Sequence, residues 1–247
     1  MRQRYAECGA GGAAEQCRAR GKASVSEAFF VSVEFQQTGY LVYRFYLAGF
    51  DPSARPRGLP RFNEFIADAR VIGAGVVVNQ AGWEQKLEEN KQQFARDFVQ
   101  RAEFVARHPA GMSAQAFVDT LYQTAGLGTT RTESERQAAI TAYGAGDVEG
   151  RARALRAVAE SNLFFRKEFN KAFVLMQYFG YLRRSPDEGQ DAGSFAGYDF
   201  WLTKLNTESG DTTRFNTIDE LLQPTKRAGM VEAFVITGEY RRRFGPE

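Results

Sequence analysis

A short motif, a glutamate followed by an aromatic residue, recurs four times along this chain at nearly constant spacing. The copies are Glu34-Phe35, Glu103-Phe104, Glu168-Phe169 and Glu239-Tyr240. An apolar couple precedes each copy by four or five residues: Phe29-Phe30, Phe98-Val99, Leu163-Phe164 and Phe234-Val235. Four copies in register indicate a repeated helical unit, and a repeat constrains the architecture of a chain more than any single motif does.

The beginning and the middle of each repeat are also recognisable. Three copies begin with an apolar couple and carry a tyrosine shortly after it: Leu41-Val42 with Tyr46, Phe117-Val118 with Tyr122, and Phe173-Val174 with Tyr178. Two copies share the middle pattern Trp-x-x-Lys-Leu, at Trp83–Leu87 and Trp201–Leu205. In the remaining copy, Arg136–Tyr143 takes that place. One repeat is therefore predicted to contain three helical segments joined by loops.

This pattern predicts an all-α fold, a helical bundle of about three complete repeats and one truncated repeat. The truncated first repeat covers residues 1–40, and the complete repeats cover 41–109, 110–170 and 171–247. No apolar couple with a following tyrosine precedes Glu34-Phe35, the first copy of the glutamate-aromatic motif. Residues 1–40 therefore resemble the end of a repeat in a longer protein. Strands and helices do not alternate along the chain, which argues against a doubly wound sheet.

Local signals place several helix ends. Ser113 is suited to cap the helix that follows it, and Thr132 with Glu135 forms a capping-box pattern. The charged segment before His108 is predicted to be one long helix, or two helices with a joint near Asn90. Relative to the earlier repeat, residues 206–229 are an insertion that Pro224 is expected to close.

The composition, with 43% hydrophobic and 25% charged residues among 247, is ordinary for a soluble globular protein. The 32 basic and 30 acidic residues are intermixed, so the sequence shows no nucleic-acid-binding footprint. The one basic run, Arg241-Arg242-Arg243, is interpreted as a solvated helix end. No apolar stretch reaches the ~18–20 residues of a membrane span. No direct membrane span is predicted.

The only two cysteines, Cys8 and Cys17, bracket a loop of small residues. We expect them to form a disulfide, which indicates an exported protein, and a loop of this size adds roughly 2.7 kcal/mol in the chain-entropy model. Two free thiols in a reducing cytoplasm are the alternative. No signal region is present in this sequence, and the expected location is extracellular or on the cell surface.

The sequence predicts no catalytic, cofactor-binding or metal-binding residue. The single histidine, His108, is interpreted as a cation at a helix C-terminus, where the helix dipole favours positive charge. Glu34, Glu103, Glu168 and Glu239 are expected to form structural pairs or caps, since each repeat carries one of them. The loop from Asp187 to Asp191 carries oxygen ligands of the kind that calcium prefers. It does not match the twelve-residue calcium loop, and the question of calcium binding stays open.

The segment Tyr178–Leu205 resembles the bacterial domain-of-unknown-function family 4214. It reads Y-F-G-Y-L-R-R-S-P-D-E-G and then G-Y-D-F-W-L-T-K-L-N, and the tail from Ala233 to Tyr240 is similar to that family's ending. The resemblance implies an all-helical module of exported bacterial proteins, more remotely similar to phycobilisome linker domains. It also implies a turn held by an ion pair at Arg184, Pro186 and Asp187, with Arg183 as the alternative basic residue. Residues 41–109 depart from this element.

Two functions from different classes are considered. The first is a non-enzymatic assembly module that contacts other protein chains, in a homopolymer or as a subunit of a mixed complex. The second is a carbohydrate-binding or enzyme-accessory domain of a secreted protein. The truncated first repeat is expected to leave a helix face near Phe29 and Phe35 uncovered, and such a face would form an interface.

Overall fold

The computed structural model describes residues 35–244, together with Cys17, Gly21 and Ser32. Over residues 35–244 the chain forms α-helices, short 3-10 turns and two π-helical turns, and this part contains no β-strand. The predicted all-α fold class is confirmed. Contacts divide the chain into two compact units. The central unit is Gln36–Glu168, and the described part of the C-terminal unit is residues 169–244 with Phe35, Cys17, Gly21 and Ser32.

The central unit contains seven helices of its own and the start of an eighth. They are α1 (Tyr40–Gly49), α2 (Phe62–Gly73), α3 (Trp83–Phe98), α4 (Ala102–Arg107), α5 (Ala114–Thr124), α6 (Glu133–Tyr143), α7 (Val148–Ala159) and α8 (Asn162–Gln177). Helix α1 is the centre of this unit because it packs against α2, α5 and α7. Nearly every residue of α1 is buried, as expected for a helix that is apolar on all sides.

Phe98, at the end of α3, holds the aromatic core around α1 together. Its ring lies 4.6 Å from the ring of Phe50 and 5.4 Å from that of Phe45, measured between centroids. It also meets Phe104 at 5.9 Å. A Cβ atom on Gly49 would lie 2.8 Å from the Phe98 ring, so this position of α1 requires glycine.

Helix ends follow the capping signals in most places. Ser113 accepts from the backbone N–H of Ala116, and Thr132 with Glu135 forms the predicted capping box. The predicted joint near Asn90 is wrong, because the helix breaks at 99–101 instead. Asn90 lies within α3 and donates to the carbonyls of Ile72 and Ala74, where it satisfies the exposed end of α2.

The C-terminal unit continues from α8 through a π-helical turn (Tyr178–Leu182) to four further helices. They are α9 (Ala196–Ser209), α10 (Ile218–Ala228), α11 (Met230–Val235) and α12 (Gly238–Phe244). Successive helices from α9 to α12 pack against one another, and the π-helical turn packs against α12.

Pro224 is expected from the sequence to close the inserted segment 206–229. This is wrong, because α10 continues through that proline. Proline lacks the N–H that would bond to the preceding turn. Leu221 and Leu222, just before it, are buried, and packing of an amphipathic face supplies most of the stability of helices in proteins. The packed face therefore compensates for the missing hydrogen bond.

The predicted burial of the apolar couples is confirmed at most described positions. Phe98, Val99, Phe164, Phe234 and Val235 are buried, and Leu163 is half-buried. The first couple, Phe29-Phe30, lies outside the described residues.

Two further predictions concern the N-terminal residues. Phe35 is buried, so the expectation of an uncovered face is wrong at that residue, and Phe29 lies outside the described residues. The Cys8–Cys17 pairing stays a prediction because Cys8 also lies outside them. The division into four repeats likewise stays a prediction.

No helix in the described part of the chain is long and apolar enough to cross a bilayer.

Truncating Phe98 or Phe234 to alanine is expected to lower the free energy of unfolding by about 3–5 kcal/mol, because each removal leaves a cavity in an aromatic core. Urea denaturation measures this loss. The control is Val77→Ala at an exposed position, with a change within about 0.5 kcal/mol. A loss below about 1 kcal/mol at both phenylalanines would refute the register of the repeat.

Candidate functional site

An arginine stacks on the tyrosine at the beginning of each predicted complete repeat. The guanidinium carbon of Arg55 lies 5.0 Å from the centre of the Tyr46 ring, that of Arg131 5.4 Å from Tyr122, and that of Arg184 5.3 Å from Tyr178. A guanidinium this close to an aromatic face is attracted by the ring quadrupole. Because the three tyrosines were aligned from sequence alone, the recurrence supports that alignment.

Arg184 joins three parts of the C-terminal unit. Its Nε donates to Glu239 at 2.8 Å and its Nη2 to the other Glu239 oxygen at 3.0 Å. Nη2 also donates to Asp191 at 2.6 Å, and Nη1 donates to the carbonyls of Ser185 and Pro186. The planar fork of arginine suits such multiple acceptors. Burial alone would lower the pKa of Arg184, yet the hydrogen bonds to Glu239 and Asp191 raise it.

Arg55 likewise bonds to two carboxylates in the central unit. It donates to Glu64 at 2.6 and 3.0 Å and to Glu103 at 2.6 Å. Glu103 and Glu239 are corresponding members of the recurring motif, so Arg55 and Arg184 are equivalent. The sequence pattern did not reveal this equivalence, because Arg55 lies nine residues after Tyr46 whereas Arg184 lies six residues after Tyr178.

Residues 110–170, the third predicted repeat, depart from this arrangement. Arg131 and Arg136 both donate to Asp119, at 3.0 and 2.7 Å. The recurring glutamate, Glu168, is buried and accepts a hydrogen bond from the Tyr43 hydroxyl at 3.0 Å. Each described glutamate of the motif therefore bonds to a side chain distant in sequence, which supports the predicted structural role.

A cleft lies beside each equivalent arginine. The cleft at Arg184 has a volume of about 380 Å³ and is lined by Tyr178, Trp201 and Phe234 as well as Glu239. The cleft at Arg55 has about 350 Å³ and is lined by Phe50, Glu103 and Arg107 among others. Both volumes fall in the range of small-molecule sites, ~300–1,000 Å³.

The two clefts differ in the hydroxyl of the stacked tyrosine. The Tyr46 hydroxyl donates to Asp68 at 2.8 Å and accepts from Arg101 at 3.2 Å. Arg101 also makes a two-point contact with Asp68. The Tyr178 hydroxyl has no hydrogen-bond partner among the described residues, although the residue is 3% exposed. Burial raises the pKa of Tyr178 to about 12, so its hydroxyl keeps its proton at neutral pH.

In the loop from Asp187 to Asp191, two acidic side chains accept hydrogen bonds from the protein itself. Asp191 accepts from Arg184, and Glu188 accepts from the backbone N–H of Ser185 at 2.7 Å. The described residues contain no group of three or more metal-ligating side chains. Arg184, rather than Arg183, is the basic residue that holds this turn.

His108 is buried, which corrects its interpretation as a helix-end cation. It follows α4, and its Nε2 lies 3.2 Å from the carbonyl oxygen of Gly49, while its Nδ1 has no partner in the described structure. The side chain of Arg151 donates to the His108 carbonyl. Burial lowers the pKa of His108 to about 4, so the ring is neutral at pH 7. The sequence carries no sign of this burial.

No protein-family model matches the chain, and neither a curated protein nor a solved structure shows significant similarity to it. The resemblance to domain-of-unknown-function family 4214 therefore stays a prediction.

Replacing the recurring glutamate by glutamine should cost more in the C-terminal unit than in the central unit. The Glu239 side chain is 13% exposed and that of Glu103 is 54% exposed. We expect Glu239→Gln to lower the free energy of unfolding by about 1–3 kcal/mol, since it leaves a buried guanidinium under-compensated. The matched Glu103→Gln change should cost below about 1 kcal/mol. Chemical denaturation of both variants checks this order, and equal losses would contradict it.

The stability of the protein should fall as His108 is forced to protonate. Its folded pKa of about 4 lies below the usual value of 6.5. The unfolded chain therefore binds more protons between these values, and stability is lost as pH drops through that window. From pH 7 to pH 4 the loss should be about 2–3 kcal/mol greater in the native protein than in His108→Gln. If the native protein and His108→Gln lost the same free energy of unfolding between pH 7 and pH 4, the lowered pKa of His108 would be contradicted.

Proposed function

We propose that this chain is a non-enzymatic helical module that binds other protein chains. In this proposal it belongs to an assembled extracellular or cell-surface structure of a bacterium, as the resemblance to domain-of-unknown-function family 4214 implies. The observation that carries the proposal is a chain of aromatic rings that ends in exposed phenylalanines in the C-terminal unit.

The exposed Phe200 marks one end of this aromatic chain. Phe200, on α9, is 61% exposed, and its ring centre lies 5.1 Å from that of Trp201. Trp201 in turn meets the buried Phe234 at 6.1 Å. An exposed aromatic ring fixed by packed neighbours loses little conformational freedom on binding, and such residues commonly anchor protein interfaces.

The other end lies on α12 and is strongly basic. Phe234 meets Tyr181 at 6.5 Å, and Tyr181 meets Tyr240 at 5.7 Å between ring centres. Tyr240 packs against Phe244 at 4.8 Å, and Phe244 is 44% exposed. The three arginines 241–243 are exposed beside it, and Arg183 lies over the Phe244 ring. Aromatic residues and arginine are enriched at interfaces. This composition favours a partner surface that is both apolar and acidic.

The repeated polar groups support a structural role over turnover. Arg184 and Glu239 neutralise each other, and Arg55 is similarly bound by Glu64 and Glu103. The single histidine is buried and contacts the Gly49 carbonyl. These groups are engaged in holding the repeats, whereas catalysis requires an acid, a base or a nucleophile positioned toward a substrate.

A photo-cross-linking amino acid at position 200 tests this proposal. The control places the same probe at Gln115, which is exposed on α5 in the central unit. We expect the probe at 200 to form discrete adducts in the source organism, either with a second copy of this chain or with another exported protein. Light scattering on the purified chain distinguishes a homopolymer from a mixed complex.

Phe200→Ser should abolish binding to the partner that the adducts identify, without changing the folded state, because the Phe200 side chain is mostly solvated. Adducts of equal yield and pattern at positions 200 and 115 would contradict the proposed surface. So would equally tight binding of that partner, a second copy or another protein, by the native chain and by Phe200→Ser.

A further inference from the structure

The cleft beside Arg184 contains an unpaired hydroxyl. Tyr178 is nearly fully buried and lines this cleft, and its hydroxyl meets no hydrogen-bond partner in the described part of the chain. Its oxygen stays accessible to solvent, unlike the buried and unpaired hydroxyl oxygen of Tyr122. The hydroxyl is therefore available to a molecule that enters the cleft.

The equivalent cleft in the central unit shows that the repeat does not require this free hydroxyl. There the corresponding Tyr46 bonds to Asp68 and Arg101. Tyr46 is also missing from the residues that line its cleft. The two clefts thus share the arginine stack, yet of the two only the C-terminal cleft is lined by its stacked tyrosine.

The charges around the C-terminal cleft balance. Arg184 and Arg242 contribute two positive charges, and Asp191 and Glu239 two negative charges. Arg184 directs its donors to protein acceptors, so it is not free to bind an anion. Asp191 gives one carboxylate oxygen to Arg184 and keeps the other available. This balance of donors and acceptors fits a neutral ligand with several hydroxyl groups.

The wall of the cleft supplies an aromatic surface. Trp201 is half-buried, lines the cleft, and packs against Phe234. Aromatic rings offer a flat apolar face, which matches the C–H face of a pyranose ring. The exposed Gln190 adds a side-chain amide at the rim, and an amide both donates and accepts hydrogen bonds.

We infer that this cleft binds a neutral sugar residue. The sugar hydroxyls bond to Tyr178 and Asp191, and the ring face lies on Trp201. Sugar binding and protein binding are tested separately. Sugar binding is measured on the isolated chain, and protein association is measured through the adducts at position 200.

Fluorescence of Trp201 provides the test. The chain has two tryptophans, so Trp83→Phe leaves Trp201 as the sole reporter. This variant is titrated with the methyl glycosides of glucose, galactose, mannose and N-acetylglucosamine, and with galacturonate as the charged comparison. We expect a saturable change with at least one neutral glycoside at millimolar concentration, and weaker binding of galacturonate.

Tyr178→Phe in the same background should reduce the affinity about tenfold or more. Its stability should be unchanged, because the lost hydroxyl makes no hydrogen bond within the protein. Gln190→Ala, at an exposed position, should reduce affinity without any effect on folding. Glu103→Gln, in the equivalent cleft, should leave binding unchanged.

Three results would overturn the inference. The first is no saturable response to any of the four neutral glycosides. The second is an affinity that survives both Tyr178→Phe and Gln190→Ala. The third is binding of galacturonate as tight as that of the neutral sugars, which would show that the cleft selects charge.

Discussion

In both units, an arginine stacks on a tyrosine and bonds to a glutamate that is distant in sequence, and the arrangement around it depends on this contact. In the C-terminal unit, Arg184 covers Tyr178 and binds Glu239, residues that are far apart in sequence. Arg55 joins Tyr46 to Glu103 in the same way. The guanidinium is planar, permanently charged and rich in donors, so it can satisfy a ring face, carboxylates and loop carbonyls together. The loop after the tyrosine and the tail helix are thereby held by one side chain.

The same arrangement leads to different surfaces in the two units. In the central unit the tyrosine hydroxyl donates to Asp68 and accepts from Arg101. In the C-terminal unit the hydroxyl of Tyr178 stays free beside a cleft, and Phe200 and Phe244 are exposed nearby in the aromatic chain. Two segments with the same arginine contact can therefore have different surfaces, since the contact holds the local fold and leaves the cleft lining free to vary.

Features with a local or periodic cause could be predicted from sequence. The helical class, the buried Phe98 and Phe234, and the caps at Ser113 and Thr132 all follow from spacing or from a nearby side chain. Features set by distant contacts could not. The equivalence of Arg55 was hidden by a different loop length, and the neutrality of His108 follows from its burial against Gly49. Helix α10 continues through Pro224 because tertiary packing outweighs a local helix-breaking preference. The free hydroxyl of Tyr178 also depends on which neighbours the fold supplies.

Hydrogen exchange on Arg184→Lys tests the central role of the arginine most directly. Lysine keeps the charge but has no fork with which to bond Glu239, Asp191 and the loop carbonyls at once. Backbone amides of 185–195 and 238–244 should exchange faster in this variant, because the loop and α12 lose their common partner. Amides of α1 and α4 should keep their protection, since Arg55 is intact. Unchanged exchange in both C-terminal segments would contradict the account, as would an equal loss of protection in α1 and α4.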